Sequence, residues 1–249
     1  MQDDSRESRL SKGQLDAAEK HGIPVAFENS IGMSFVLIPA GEFMLGSNDG
    51  YDDEKPVHRV RITKPFYMGV TEVTQRQYDW VVGENPSYFK GADNPVEQVS
   101  WSAVTEFCKI MSQRAQKTVR LPTEAEWEYA CRAGSTGKYC FGNSERQLGD
   151  YAWYDDNSGN KTHPVGQKKP NAWGLYDMHG SVLEWCADWY GEYPPGEVSD
   201  PTGPSTGRYR VVRGGSWRYY ANYSRSANRY YCDPTFTYFS LGFRVVFCE

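Results

Sequence analysis

Between Arg218 and Ser240 the chain contains no Lys, Glu, Gln, Met, Leu, Ile or Val, yet it holds Tyr219, Tyr220, Tyr223, Tyr230, Tyr231, Phe236, Tyr238 and Phe239. A strand buried on both faces draws on aliphatic, β-branched residues, so this stretch is a poor source of sheet core. The doublets Tyr219-Tyr220, Tyr230-Tyr231 and Tyr238-Phe239 tighten the constraint, because successive strand side chains point to opposite faces. One ring of each pair faces outward. For any single ring, filling an all-β core is the competing reading; for the set, a contact surface fits better. Tyr gives large amphipathic contact area with few rotors to immobilise, and Asn222, Asp233 and Ser240 add adaptable polar groups. The core must come from elsewhere.

A chain of 249 residues can supply it and reads as one domain. With 24 Gly and 14 Pro, and with bulk carried by rings, it points to short strands and long ordered loops. Residues 1–32 read as a polar N-terminal extension, with SKGQLDAAEKHG a short helix stopped by Gly22, and 33–249 as the domain proper. SFVLIPAGEFMLGS predicts two strands bent at Pro39-Ala40-Gly41, and Arg59–Ile62 alternates as a half-buried strand. Asp49, Asp52, Asp53 and Glu54 read as a solvated acidic loop. Thr74 with Gln77, and Thr123 with Glu126, are capping boxes whose helices stop at Gly83 and Gly134; Ser100 caps a third helix. On that third helix Trp101, Val104, Cys108 and Met111 share a face, and beyond it Trp127 and Tyr129 read as packing residues. From Gly137 periodicity fades into a long aromatic-studded passage, of a kind commonly functional or held by ions.

The net charge of -5 with scattered Lys and Arg lacks the basic stripe of a nucleic-acid binder. No apolar run is long enough to span a bilayer, and the start lacks the apolar core of a secretory signal. Either the protein is cytoplasmic or an export segment lies outside this sequence. The six Cys form no CxxC pair and no zinc-type cluster with His. Cys108 reads as a buried thiol.

Several motifs occur in one order: PAGEFMLGS from Pro39, Glu72-Val73-Thr74 with Gln77-Tyr78, Pro95-Val96 with Val99-Ser100-Trp101, RLPTEAEWE from Arg120, His163-Pro164-Val165-Gly166, NAWGLYDM from Asn171, Arg213-Gly214-Gly215-Ser216-Trp217 and Leu241-Gly242-Phe243-Arg244. Together, from about residue 33 to the end, they resemble the formylglycine-generating enzyme, or sulfatase-modifying factor, domain. The resemblance implies an α+β, C-type-lectin-like fold with little regular secondary structure. Enzymes of that family are copper-dependent oxidases using two Cys after the GGS motif; here the first position carries Tyr219 and the second falls near Tyr223-Ser224-Arg225. Phenol and hydroxyl do not replace a thiolate as a soft copper ligand. An iron-dependent branch needs a His-rich set, and His21, His58, His163 and His179 are scattered. Neither copper nor iron is expected.

A third branch fits better: the variable proteins of diversity-generating retroelements, including a treponemal surface type. This chain is similar to them in its GGSW, SRSANR and LGFR frames. The resemblance implies a noncatalytic receptor whose variable region runs over about 217–244. Its ligand-binding positions would be Arg218, Tyr219, Tyr220, Asn222, Tyr223, Tyr230, Tyr231, Cys232, Asp233, Phe236, Tyr238, Phe239 and Ser240. All have codons ending in C or T, compatible with mutagenised Asn codons. Arg213, Trp217, Arg225, Arg229 and Arg244 would be frame residues, and the partner a protein or other macromolecule. The resemblance also implies a structural calcium ion held by Asp177, Gly180, Val182 and Glu184; the alternative is that Glu184 pairs with an arginine. A processed surface lipoprotein is the location implied, with a cytoplasmic protein as the alternative.

Overall fold

The helices begin where their caps place them. The structure is a computed structural model that describes residues 10–248; residues 1–9 of the expected extension lie outside the described residues. Ser11 caps α1 (Lys12–His21) in a box with Gln14, and Gly22 ends it at φ 64°. Thr74 with Gln77 boxes α2 (Gln75–Val82), which stops at Gly83, φ 87°. Ser100 accepts from Ala103 N at the start of α3 (Trp101–Ala115). Thr123 and Glu126 box α4 (Glu124–Arg132), which stops one residue before the expected Gly134, with Ala133 already left-handed at φ 45°.

The segment read as a polar extension is docked on the domain. Gln14 is fully buried, and its Nε2 donates to Leu37 O at 2.9 Å and Trp173 O at 3.1 Å. Downstream, β1 (Ala26–Glu28) pairs antiparallel with β2 (Ser34–Ile38). The bend expected at Pro39-Ala40 sends β2 and β3 (Gly41–Leu45) into different sheets.

Three small sheets result. One runs β1-β2-β5-β12-β6, where β5 is Phe66–Gly69, β6 Thr118–Arg120 and β12 Val246–Cys248. The last strand thus lies between two much earlier ones, paired through Val246 with both Met68 and Arg120. A second sheet is β3-β4-β8, with β4 His58–Ile62 and β8 Val198–Ser199. In β4, Arg59 and Arg61 are exposed while Val60 and Ile62 are buried, as the alternation predicts. The third is β10-β9-β7-β11: Tyr230–Cys232, Arg210–Arg213, Leu183–Trp189 and Leu241–Gly242.

Val104, Phe107, Cys108 and Met111 bury one face of α3; Trp101 sits at its edge, half-buried, donating Nε1 to Cys186 O at 2.9 Å. Trp127 is fully buried and Tyr129 nearly so. The long passage between α4 and β7 holds just one short helix among the described residues, α5 (Leu148–Tyr151), after a 3₁₀ turn. Its backbone is pinned by side chains: Asn171 donates to Ala130 O at 2.7 Å and accepts from Trp173 N and Leu175 N at 3.0 and 3.1 Å.

Candidate ligand-binding face

The frame of the C-terminal segment is built from buried ion pairs. Arg213, fully buried on β9, bonds the Glu128 carboxylate and Asn228 O. Arg229 grips both oxygens of Glu124 at 2.6 and 2.8 Å. Burial alone would raise the Glu124 carboxyl, but Arg229 and Arg213 outweigh it and hold it below its ordinary value. Arg225 makes the same bidentate grip on Glu54, at 2.8 and 2.6 Å. Glu54 is therefore no part of a solvated loop: it is fully buried, 171 residues from its partner. Such fork-to-carboxylate pairs are shape-specific, and they fix the SRSANR stretch as interior frame.

The glycines of Arg213-Gly214-Gly215-Ser216-Trp217 let this frame close. At Gly215, φ is 71° and a Cβ would lie 2.7 Å from Ser224 Oγ; only glycine enters this conformation without strain.

On the frame, the rings stand outward. Tyr220 is 65% exposed, and Tyr230, Tyr231 and Phe236 are each 44% exposed. Arg218, Tyr219, Tyr223, Tyr238 and Phe239 are half-buried, and Asn222 and Asp233 are exposed. Two positions differ from the expected surface. Ser240 is fully buried beside β11, where its carbonyl accepts from Leu183 N, and Cys232, 8% exposed at the end of β10, packs into the core. Tyr230 and Tyr231 both reach solvent because β10 is the outer strand of its sheet.

Leu183, Leu241 and Cys232 floor a cavity of about 480 Å³, and Arg218, Tyr219, Tyr230, Tyr231, Phe236 and Tyr238 form much of its wall. That volume is typical of ligand pockets. The face extends past the C-terminal segment. Tyr51 stacks on Tyr223 at 6.3 Å and accepts from Asn222 Nδ2; Tyr190 and Tyr209 lie 4.4 and 4.9 Å from Tyr231. Tyr88, 68% exposed, meets Phe239 at 6.1 Å. Sequence reasoning missed these four; their one signal was an aromatic ring in a polar loop without periodicity.

Of the residues that the resemblance sets at or near the oxidase thiols, Tyr219 lines the cavity and Tyr223 packs between Tyr51 and Tyr219. Burial pushes the Cys232 thiol up to about 12, so it is protonated near neutrality. No disulfide joins the cysteines, Cys108 and Cys232 included.

Of the nominated calcium ligands, Asp177, Gly180 and Val182 lie in the turn before β7 and Glu184 is the second residue of that strand. Both Glu184 oxygens are taken by Arg244 at 2.7 Å, and one also accepts from Trp127 Nε1 at 2.7 Å. Glu184 thus makes the arginine pairing named as the alternative. Asp177 keeps one buried oxygen without a partner, as does Glu72 with both of its own. Burial, with the Asp177 charge beside it, pushes the Glu72 carboxyl well above the usual range, and burial moves Asp177 to about 6. Among the described residues no cluster of three or more His, Cys, Asp or Glu could hold a metal ion.

Sheets, buried arginine frame and aromatic face together define an α+β, C-type-lectin-like domain of the formylglycine-generating type. A model of the sulfatase-modifying factor enzyme 1-like domain matches residues 24–248, and the chain belongs to that family. The match starts inside the segment read as an extension. Treponema denticola variable protein 1 superposes with a TM-score of 0.85 at 34% identity, covering 90% of this chain and 99% of that one. The formylglycine-generating enzyme of Streptomyces coelicolor is 30% identical over 281 residues, covering 84% of this chain and 87% of the relative. Serine/threonine-protein kinase pkn1 of Chlamydia pneumoniae is 34% identical over 241 residues, 84% of this chain, and the match spans 37% of that relative's length.

Proposed function

We propose that the chain is a noncatalytic receptor whose C-terminal aromatic face binds a protein and is diversified by a retroelement. The observation that carries this reading is the open aromatic surface, carried on a buried arginine frame, to which the Tyr219 and Tyr223 rings belong; the resemblance puts Tyr219 where the oxidases carry their first thiol and Tyr223-Ser224-Arg225 around the second. The likeness to the treponemal variable protein supports it. Display at the cell surface as a processed lipoprotein is part of the proposal; among the described residues no helix is long and apolar enough to cross a membrane.

The test is genomic. Sibling isolates should differ at the thirteen nominated positions and agree at the arginine frame, with a near-copy of the 3′ end carrying Asn codons beside a reverse transcriptase gene. An invariant segment overturns diversification. The rival reading, favoured by 30% identity to a formylglycine-generating enzyme, is copper-dependent oxidation of a Cys peptide; turnover in a copper-loaded assay would establish it over ours.

For the turn before β7 we propose that the Arg244 guanidinium does the pinning expected of calcium. Chelation with EDTA should then leave the melting temperature unchanged. A rise on adding calcium would restore the four-ligand expectation.

A further inference from the structure

Arg213, Arg225, Arg229 and Arg244, the arginines of the frame, each have a carboxylate partner. Arg218 differs. It lines the aromatic cavity, bonds the Tyr238 hydroxyl and lies 5.0 and 5.1 Å from the Tyr238 and Phe239 ring centres, with no carboxylate paired to it among the described residues. Cation–π contact orients the guanidinium but leaves its charge unneutralised. Donors of a planar fork remain available for a carboxylate.

The rest of the cavity favours a ring. Its floor is aliphatic, and Tyr219–Tyr230, Tyr230–Tyr231 and Phe236–Tyr238 stand 6.4, 5.9 and 5.6 Å apart, centre to centre. Inserted aromatic groups pack against such walls at centroid distances of about 4.5–7 Å. Burial raises the Tyr219 phenol to about 12 and raises Tyr230 as well, so both are neutral donors at physiological pH. Asp233 is the one carboxylate in the lining; its Oδ1 already accepts from Thr235 N and Oγ1 at 2.9 and 2.6 Å. Arg218 is the one cationic side chain in the lining and so the group a ligand's negative charge would meet.

We propose, building on the receptor reading, that this cavity takes an aromatic side chain flanked by a carboxylate from a protein partner, the ring on the Leu183–Leu241 floor and the carboxylate on Arg218. The pocket thus has a stated specificity in this chain, which a different variable sequence would change.

Two small probes separate the parts: N-acetyl-L-tryptophan, with a free carboxylate, and N-acetyl-L-tryptophanamide, without one. Each is titrated into the protein with the Leu methyl groups isotopically labelled. Saturable shifts of the Leu183 and Leu241 methyl resonances are expected with both, and the acid should bind about three- to five-fold more tightly, the range of a partly exposed ion pair. Arg218→Gln should reduce the acid to the amide's affinity without altering the amide's, and Arg218→Lys should retain part of the preference. Equal binding of acid and amide, a preference that survives Arg218→Gln, or flat titrations with both probes would overturn the inference. A flat titration with a variable locus in sibling isolates sinks this inference alone; an invariant locus sinks the diversified-receptor reading on which it rests.

Discussion

Glu54 and Arg225 show at residue scale what makes the face possible. Their carboxylate and guanidinium lie buried, joined by two bonds, and tie the 3₁₀ turn at Asp52–Glu54 to the segment that carries the rings. A buried pair gains little over an apolar substitute, but losing one partner strands the other charge out of water. Glu54→Ala should therefore cost about 3–5 kcal/mol, read as a drop in urea midpoint. A loss below about 1 kcal/mol would mean that solvent reaches Arg225 freely and the pair behaves as a surface one. Gly215 works at the same scale through shape rather than charge, since its left-handed backbone lets Ser224 approach.

At the scale of elements, the sequence was most informative where the physics is local. Capping residues three positions apart marked the starts of α2 and α4, because the bonds they make lie within one turn. Alternation marked β4 for the same reason. What escaped was long-range. Glu54 looked like one more acid in a polar loop, and nothing near it in sequence announced a partner 171 residues away. Polar composition likewise hid the docking of α1, which joins a buried amide, Gln14, reaching two distant carbonyls, to the packing of Ala17 and Ala18 on the core. The aromatic face was half legible: its C-terminal rings were evident from composition, whereas Tyr51, Tyr88, Tyr190 and Tyr209 join it only through folding. The burial of Ser240 and Cys232 escaped because composition does not report which residue of a short segment packs on the core.

At the scale of the whole molecule, core and contact surface are separable. The main cores draw on β2, β5, α3, α4 and β7, while the outward rings rest on top. Replacing Tyr220, Tyr230, Tyr231 and Phe236 together by Ser should then be tolerated. At about 0.5 kcal/mol for each surface change, the total is about 2 kcal/mol, a fall of about 4–8 °C for a chain of this size. Unfolding should stay cooperative by calorimetry; loss of the transition would place those rings in the core.

The strand β12 follows the aromatic segment in the chain and sits between β5 and β6 as an interior strand of the five-stranded sheet. Translation reaches it only after the rings. A shifted reading frame or premature stop anywhere among the rings would delete this keystone, and the product would be cleared as unfolded chain. Sequence change upstream of β12 is thereby screened by folding itself: a variant chain folds only when its reading frame has survived intact as far as β12.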